Sequence, residues 1–348
     1  MPRSAPDTPS APPAPGAPPR RGIVRAGAAL AASALLAGLP AAALAQAPAA
    51  WPAKPVRMVV NFPPGGAADS IGRAIAQPLS EAIGQPVVVD NRPGANGNIG
   101  GDAVAKAPAD GYTLLLSSGS MVSINPAIYP KMSFDPAKDL VPVAAAARVL
   151  VYLEVNPAKV PARDVKEFVA FLKARPGALS YASPGNGSSP HLAGELLKDM
   201  AGVEATHIAY KGAAPAMQDL LAGQVDYMFD PGIGLQHVQA GKLRLLAVGS
   251  PKRSPAFPDV PTLDEAGLRG FDADTFFGLY APAGTPPAVV ERINREVNKV
   301  LATPAFRDRM LALGGEPAPM TPAAFAAKGH EDAVRFAKLI KDRGIRGD

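Results

Sequence analysis

The stretch VRMVVNFPPGGAADSIGRAIA, residues Val56–Ala76, decides the fold class of this chain. Its apolar beginning predicts a buried strand, and Pro63–Gly66 ends that strand with a turn. Asp69 follows, at the place where capping and the helix dipole favour a carboxylate. The stretch is therefore a strand–turn–helix unit, whose helix has one apolar side marked at four-residue spacing by Ile71, Ile75, Leu79 and Ile83.

The turn at Gly65 and Gly66 is a candidate anion site. The first turn of a helix leaves four backbone N–H groups without intrahelical partners, and such an end attracts anions. The competing interpretation is an ordinary turn between a strand and a helix, where glycine serves conformation alone. A second turn of the same kind, much later in the chain, favours the anion site.

That second turn lies in Ser183–Leu197, SPGNGSSPHLAGELL. Gly185 and Gly187 allow a tight turn, and Ser188 and Ser189 bring hydroxyl groups to the helix start. The stretch lacks the lysine of a Walker loop and the third glycine of a dinucleotide fingerprint, so we expect no nucleotide cofactor. A small carboxylate fits better, although a serine-rich helix start is also a routine cap.

The rest of the chain alternates strand and helix patterns, which predicts an α/β protein with mainly parallel sheets. Its 348 residues are enough for about two domains. Two α/β halves of comparable size predict a cleft between them, where binding sites are common. A C-terminal helix beginning at Thr321 and Pro322 is expected to turn one side inward, marked by Phe325, Val334, Ala337 and Ile340.

The first 45 residues predict export. A Pro-rich lead precedes a positive region of Arg20, Arg21 and Arg25, then the apolar run Ala26–Leu39. An A-x-A site ending at Ala45 completes a cleavable signal peptide and predicts a periplasmic protein. The paired arginines leave Sec and Tat export open, and an uncleaved anchor is the alternative.

Charge and cysteine content exclude several classes of function. The formal charge is +5, but residues 1–45 carry four arginines against one aspartate. A mature chain starting at Gln46 is close to neutral, so its charge does not point to nucleic acid. The chain has no cysteine, which excludes disulfides and thiolate chemistry, and no histidine pattern typical of zinc sites.

Catalysis has little support in the sequence. The chain has 4 histidines and no G-x-S-x-G elbow. His191 lies beside the serine loop and could activate Ser188 or Ser189, but we expect no acid that orients it as a catalytic triad requires. Packing or capping is the more common role of such a histidine, so no enzyme is expected.

Two further residues could contact a ligand. Lys211, in the strand-to-helix connection Tyr210–Pro215, could complement an anion, or it could face solvent. Asp230 ends a strand and could accept a hydrogen bond from a ligand amino or hydroxyl group. Capping of the next helix is an equally good role for Asp230.

These residues, taken together, resemble a known family. The chain is similar to tripartite tricarboxylate transporter solute-binding proteins, the Bug family of periplasmic receptors. The resemblance covers about Trp51 to Arg343 and rests on several ordered motifs: FPPGGAAD from Phe62, VVVDNRPGANGNIG from Val87, AKAPADGYTLL from Ala105, NPAIYPKMSFDPAKDL from Asn125, GNGSSPHLAGELL from Gly185, YKGAAPAMQDLLAGQVDYMFD from Tyr210 and KRSPAFPDVPTLDEAG from Lys252.

The resemblance implies an α/β, two-domain periplasmic binding protein of the Venus flytrap type, type II-like, with two interdomain crossovers. On this chain the first domain would span 52–153, the second 154–274, and residues 275–348 would return to the first domain and its C-terminal helices. A ligand carboxylate would be held in the cleft with the help of ordered water. The residues implied are Gly65, Gly66, Ala67, Asp69, Gly187, Ser188, Ser189, His191, Tyr210, Lys211 and Asp230.

The resemblance has three departures that affect only local geometry. Asn61 and Ala209 stand where proline is usual, and Pro78 should kink the first helix. The expected function is a monomeric, non-catalytic receptor without a cofactor, which passes an organic acid or acidic amino acid to a membrane permease of this transporter type. A ligand sensor for a membrane signalling partner and a periplasmic serine hydrolase are the alternatives. An amino acid would need an acceptor for its ammonium group, and Asp69 or Asp230 could serve.

Overall fold

The computed structural model describes residues 51–347. The expected signal peptide, residues 1–45, lies outside the described residues. Within residues 51–347, no helix combines the length and the apolar character that crossing a membrane requires.

The first sheet has six strands in the spatial order β11-β4-β10-β3-β1-β2. Strand β1 pairs in parallel with β2 and β3, while β10 runs antiparallel to β3 and β4. The carboxyl ends of β1 and β3 therefore meet at one edge, where the Val56 stretch makes its turn. The strands are β1 Val56–Val60, β2 Val87–Asn91, β3 Thr113–Ser118, β4 Leu140–Val149, β10 Thr275–Pro282 and β11 Gly315–Pro317.

The second sheet has five strands in the order β7-β6-β8-β5-β9. Strand β6 pairs in parallel with β7 and β8, and β5 is antiparallel to β8 and β9. The strands are β5 Tyr152–Val155, β6 Ser180–Ser183, β7 Thr206–Ala209, β8 Tyr227–Asp230 and β9 Arg244–Val248.

Twelve helices connect and cover these strands within the described residues, together with a 3-10 turn at Ala95–Gly97. The helices are α1 Ala67–Ile83, α2 Asn98–Ala105, α3 Ser120–Ser123, α4 Asn125–Ile128, α5 Pro136–Asp139, α6 Val165–Lys173, α7 Ser189–Ala201, α8 Ala213–Leu221, α9 Leu235–Gln239, α10 Pro287–Leu301, α11 Pro304–Ala312 and α12 Pro322–Asp342.

The chain passes twice between the sheets, from β4 to β5 and from β9 back to β10. Each sheet has its own apolar core: α1 and α10 pack on the first, and α6 and α7 pack on the second. We call the first sheet with its helices the first lobe, and the second sheet with its helices the second lobe. The expected two-domain α/β fold with two crossovers is confirmed.

The expectation of mainly parallel sheets is wrong, because both sheets are mixed. Each crossover strand enters its sheet against the direction of its neighbours, as β5 does beside β8 and β10 does beside β3. The local patterns of strand and helix carry no information about the direction of a strand that arrives from another lobe. Mixed sheets are common among the large sheets of α/β and related folds.

Two helices can be compared with the sequence predictions. Helix α1 is continuous from Ala67 to Ile83 and includes Pro78. In α12 the expected inward positions of Val334 and Ala337 are wrong, since the Val334 side chain is 65% exposed and Ala337 is exposed as well. Phe336 and Leu339 are buried instead, together with the expected Phe325 and Ile340. The buried face of α12 is therefore rotated from the predicted one and includes Phe336 and Leu339.

Candidate functional site

A cavity lies between the lobes, at the carboxyl ends of β1 and β3. The second lobe closes it with the turns that follow β6, β7 and β8. Among residues 51–347, none of the side chains that line it is charged. The lining residues are Phe62, Pro63, Pro64, Gly66, Ala67, Ala68, Ser118, Ser120, Pro184, Ser188, Ser189, Pro190, Gly212, Ala213, Ala214, Pro215, Pro231 and Phe277.

Three helices begin at this cavity. Gly66 is the N-cap of α1, Ser188 of α7 and Gly212 of α8, and all three line the cavity. Neither glycine cap can offer a side-chain acceptor, so the first-turn N–H groups of α1 and α8 are available to an acceptor in the cavity. Three positive helix ends around a space without acidic side chains favour an anion. The sequence predicted the first two of these ends as anion sites.

Asp69 stabilises the first turn, at Gly65 and Gly66, by a hydrogen bond to its backbone. Its Oδ2 accepts a hydrogen bond of 3.1 Å from the Gly65 N–H, and its carboxylate pairs with Arg73 at 3.0 Å and with the Asn91 amide. Although burial opposes ionisation, the bonds from Arg73, Gly65 and Asn91 keep the pKa of Asp69 below its ordinary value. Asp69 is not among the cavity-lining side chains, so its carboxylate holds Gly65 in place while Gly66 and Ala67 face the cavity.

The second turn is held by its own side chains. The Ser188 hydroxyl donates to the Gly185 carbonyl at 2.7 Å and accepts from the His191 N–H at 3.4 Å. The Gly187 N–H donates to His191 Nδ1 at 3.0 Å. His191 is therefore a buried support of the turn, and Ser188 gives its proton to a carbonyl group instead of a base. This geometry differs from that of an activated serine nucleophile.

The imidazole ring of His191 is kept neutral by its surroundings. It stacks on His207 with ring centroids 3.8 Å apart. Burial, followed by the charge of His207, lowers the pKa of His191 to about 3. A neutral ring can accept the Gly187 N–H, whereas a protonated ring cannot, so this pKa shift and the hydrogen bond support one another.

Acid should therefore destabilise the protein through His191. In the unfolded chain His191 binds a proton near pH 6.5, whereas in the folded protein its pKa is about 3. The free energy of unfolding therefore falls as the pH drops below 6.5. The loss from this group between pH 7 and pH 5 is about 2 kcal/mol. Denaturant unfolding of His191→Asn, whose Oδ1 can take the place of Nδ1 as the acceptor for Gly187, should show a smaller fall. His330→Asn, at an exposed histidine, is the control and should match the wild type. Equal pH profiles for both variants would contradict this role of His191.

Sequence reasoning missed two serines of the first lobe. The hydroxyl groups of Ser118 and Ser120 lie 2.6 Å apart, and both residues line the cavity beside Phe277. Ser118 is the last residue of β3 and Ser120 is the first residue of α3. Their position beside the parallel strand β1 was the available signal, since ligand sites form at the carboxyl ends of such strands.

Tyr210 and Lys211 lie in a second chamber next to the first. The two chambers share Phe62, Pro63, Pro184 and Gly212, and the second is closed by the glycine-rich loop at residues 93–97. The Tyr210 hydroxyl donates a hydrogen bond to Asp219 at 2.6 Å. Lys211 is the charged side chain among the described residues that line this chamber. Lys211 is exposed and has no ion pair among the described residues.

Asp230 lies behind the cavity wall instead of in it. Its carboxyl group is fully buried, and Oδ2 accepts from the N–H groups of Gly232 and Gly234 at 2.7 and 2.8 Å. The neighbouring Pro231 lines the cavity. Asp230 thus shapes the turn that carries Pro231, whereas the N-cap of α9 is Gly234.

Gly187 and Gly212 of the second lobe lie close to side chains of the first lobe. A Cβ atom on Gly187 would lie 2.1 Å from Ile128 Cδ1 of the first lobe, and one on Gly212 would lie 3.0 Å from Pro63 Cγ. Both glycines have positive φ, 76° and 118°. Only glycine provides this backbone shape and this closeness without strain.

The site has the character of a binding site. Within residues 51–347, no cluster of three or more histidine and acidic side chains is suitable for a metal ion. Two α/β lobes joined by two crossovers, with helix N-termini that converge on the cleft, define a solute-binding protein of the Venus flytrap class.

The chain belongs to the tripartite tricarboxylate transporter receptor family, whose model matches residues 71–345. It is thus a receptor and not an enzyme, as the sequence resemblance predicted. The protein BugT of Bordetella pertussis is 40% identical over 85% of this chain and 91% of its own length.

Two solved structures are similar throughout the described part of the chain. A protein of R. palustris solved with adipate is 37% identical, with a TM-score of 0.82, and the match covers 85% of this chain and 99% of that one. MatC of Rhodopseudomonas palustris, solved with bound malate, is 33% identical, with a TM-score of 0.78, over 83% of this chain and 100% of that one.

Proposed function

We propose that this protein is a periplasmic receptor that captures a small organic acid between its lobes and delivers it to a membrane permease of the tripartite tricarboxylate transporter type. The main support for this proposal is the cavity lined by uncharged side chains, at which three helices have their N-termini. Family membership supports the transport role. The adipate and malate of the two R. palustris structures support the ligand class.

The energetics of such a site are sufficient for a receptor. A partly buried helix N-terminus contributes up to ~2 kcal/mol to anion binding, and hydrogen bonds to a charged group contribute ~1.5–3 kcal/mol each. A micromolar dissociation constant requires only about −8 kcal/mol. Three helix starts, the hydroxyl groups of Ser118, Ser120 and Ser189, and ordered water can supply this after the desolvation of one carboxylate.

The environment of the acidic residues favours an acid without an amino group. An amino acid would need a free carboxylate for its ammonium group, as Asp69 or Asp230 could have provided. Asp69 is paired with Arg73, and Asp230 is buried behind Pro231, so neither presents an unpaired oxygen to the cavity. We therefore assign the ligand to the organic acids instead of the acidic amino acids.

The second chamber suits the distal end of a dicarboxylate. With one carboxylate at the helix starts, the rest of the ligand would extend past Pro63 and Gly212 toward Lys211. An ammonium group without an ion pair is a suitable partner for a second carboxylate. Gly65, Gly66, Ala67, Gly187, Ser188, Ser189 and His191 would serve the first carboxylate by contact or by support of the turns.

Export and assembly complete the proposal. Residues 1–45 would direct the chain to the periplasm, and cleavage after Ala45 would release the mature receptor, which works as a monomer. Closure of the lobes on the ligand would form the surface that the permease recognises, as in hinge-bending binding proteins.

A thermal-shift screen of the chain from Gln46 tests this function. Malate, adipate and related acids are compared with their amides, which have similar shapes and no charge. A ligand that binds only the folded protein adds about 2.7 kcal/mol to its stability at a hundredfold excess over Kd. We expect one or more acids to raise Tm while the matching amides do not. A shift by a neutral compound alone, or consumption of an ester, would contradict the receptor function.

A further inference from the structure

Glu154 forms a buried pair with Asp230 that ligand contact does not explain. Glu154 lies on β5 and Asp230 at the end of the antiparallel strand β8, where Tyr152 is opposite Asp230 and Met228 is opposite Glu154. Cross-strand partners share one face of a sheet, so the two carboxyl groups are diagonal neighbours. Both residues are fully buried.

Three of the four carboxyl oxygens of this pair have no hydrogen-bond partner: both of Glu154 and Oδ1 of Asp230. The groups around them are Tyr152 on β5, Met217 of α8 and the backbone of Gly234, whose N–H donates to Asp230 Oδ2. A Cβ atom on Gly234 would lie 2.3 Å from Glu154 Oε2, so Gly234 contacts both acids. Within the described residues no cation neutralises either carboxyl group.

Two ionised carboxylates cannot share such a site, because a buried charge without a partner is costly and like charges repel. Burial, followed by the charge of Asp230, raises the pKa of Glu154 well above its ordinary value, and burial raises the pKa of Asp230 to about 7. The two backbone N–H groups favour the charged form of Asp230, whereas Glu154 has no such donor. The proton therefore belongs on Glu154.

We propose that Glu154 is a positioning residue of the ligand site: it keeps its proton beside Asp230, so that Asp230 alone carries a charge and fixes the turn that carries Pro231. This turn joins the cavity wall to the first lobe. Pro231 lines the cavity, and a Cβ atom on Gly232 would lie only 1.8 Å from the carbonyl oxygen of Leu313. A charge on Glu154 in addition to that on Asp230 would disturb both the position of Pro231 and the contact of Gly232 with Leu313.

The pH dependence has a defined sign. The folded protein keeps a proton on the pair at pH values where the carboxyl groups of the unfolded chain, with pKa values near ~4, have already lost it. The free energy of unfolding therefore falls as the pH rises from ~4 through neutrality. Ligand affinity, which this inference takes from the proposed function, should fall over the alkaline part of that range.

The test compares Glu154→Gln with the wild type and with Glu81→Gln, at an exposed acid, as the control. Glutamine has the shape and the donor of the protonated acid but does not titrate. Calorimetric melting from pH 4 to pH 9 should show Glu154→Gln gaining at least about 3 °C over the wild type at high pH, while the Glu81→Gln curve follows the wild type. Titration with the acid found by thermal shift should show a wild-type Kd at least roughly tenfold weaker at pH 9 than at pH 6, and a nearly constant Kd for Glu154→Gln.

Three results would overturn the proposal: equal pH profiles for Glu154→Gln and the wild type, failure of the glutamine variant to fold, or loss of its ligand binding at pH 6. The proposed function has a separate readout. If no acid binds the wild type at any pH, the function fails while the melting profiles still decide whether Glu154 keeps its proton. If acids bind and the profiles coincide, only the role of Glu154 fails.

Discussion

Ser189→Asp should abolish capture of organic acids while leaving the protein folded. Ser189 is the first residue of α7 and lines the cavity, so the new carboxylate occupies the place proposed for the ligand carboxylate. Two like charges ~4 Å apart repel by about 4 kcal/mol at an effective dielectric constant of ~20, which is roughly a thousandfold in affinity. Ser189 is buried, so the dipole of α7 offsets only part of the cost of the new charge; the variant should stay folded with a modest fall in Tm. Calorimetric titration with the acid measures the effect.

Ser189→Asn is the matched control, because asparagine has the shape of aspartate without its charge. Loss of one neutral hydrogen bond costs ~1 kcal/mol, so its Kd should stay within about tenfold of the wild type. If the two variants weaken binding equally, the cost is one of shape and the anion site is not at α7. Unchanged binding by Ser189→Asp would contradict the site altogether.

Gly187→Ala should weaken ligand binding more than it weakens folding. A left-handed backbone costs a residue with a Cβ atom roughly 1–2 kcal/mol, and Gly187 has a φ of 76°. The added methyl group also meets Ile128 across the cleft at 2.1 Å. Overpacking of this kind costs about 1–3 kcal/mol, and here it acts on a contact between the two lobes that would enclose the ligand. Titration should show a Kd at least roughly tenfold weaker than that of the wild type.

Gly202→Ala separates the cost of backbone strain from the cost of the contact with Ile128. Gly202 caps the other end of α7 with a φ of 60°, and nothing lies within 4 Å of its Cβ position. This variant should lose similar stability and keep its affinity. Ile128→Val removes the Cδ1 atom that the new methyl group meets, so the double variant with Gly187→Ala should regain much of the lost affinity. Weak binding by Gly202→Ala, or no recovery in the double variant, would contradict the role of this contact in closure.

The local patterns predicted the parts of the site that are local in the chain. The turns at Gly65 and Gly187 were recognised because each combines glycines with the start of an amphipathic helix, and the structure places both beside one cavity. Tyr210–Pro215 was also recognised as a strand-to-helix connection, and it provides the third helix start. Periodicity identifies such units because each one forms from consecutive residues.

The missed features depend on residues distant in sequence. The direction of β5 and β10 is set by the crossovers, and the pairing of Ser118 with Ser120 matters only because β3 lies beside β1. Helix α11 escaped notice because its two buried residues, Phe306 and Met310, form too short an apolar pattern. The partner of Glu154 is 76 positions away, so no local pattern marks that carboxyl group as buried beside Asp230.

In the proposed receptor, helix N-termini of both lobes hold one carboxylate of the ligand. The most direct measurement is a crystal structure of the mature protein with the acid found by thermal shift. We expect a carboxylate within ~2.7–3.2 Å of N–H groups at the starts of α1 and α8 and of the Ser189 hydroxyl, directly or through one water molecule. A carboxylate paired with Lys211 alone, with the three helix starts unoccupied by the ligand, would contradict the account.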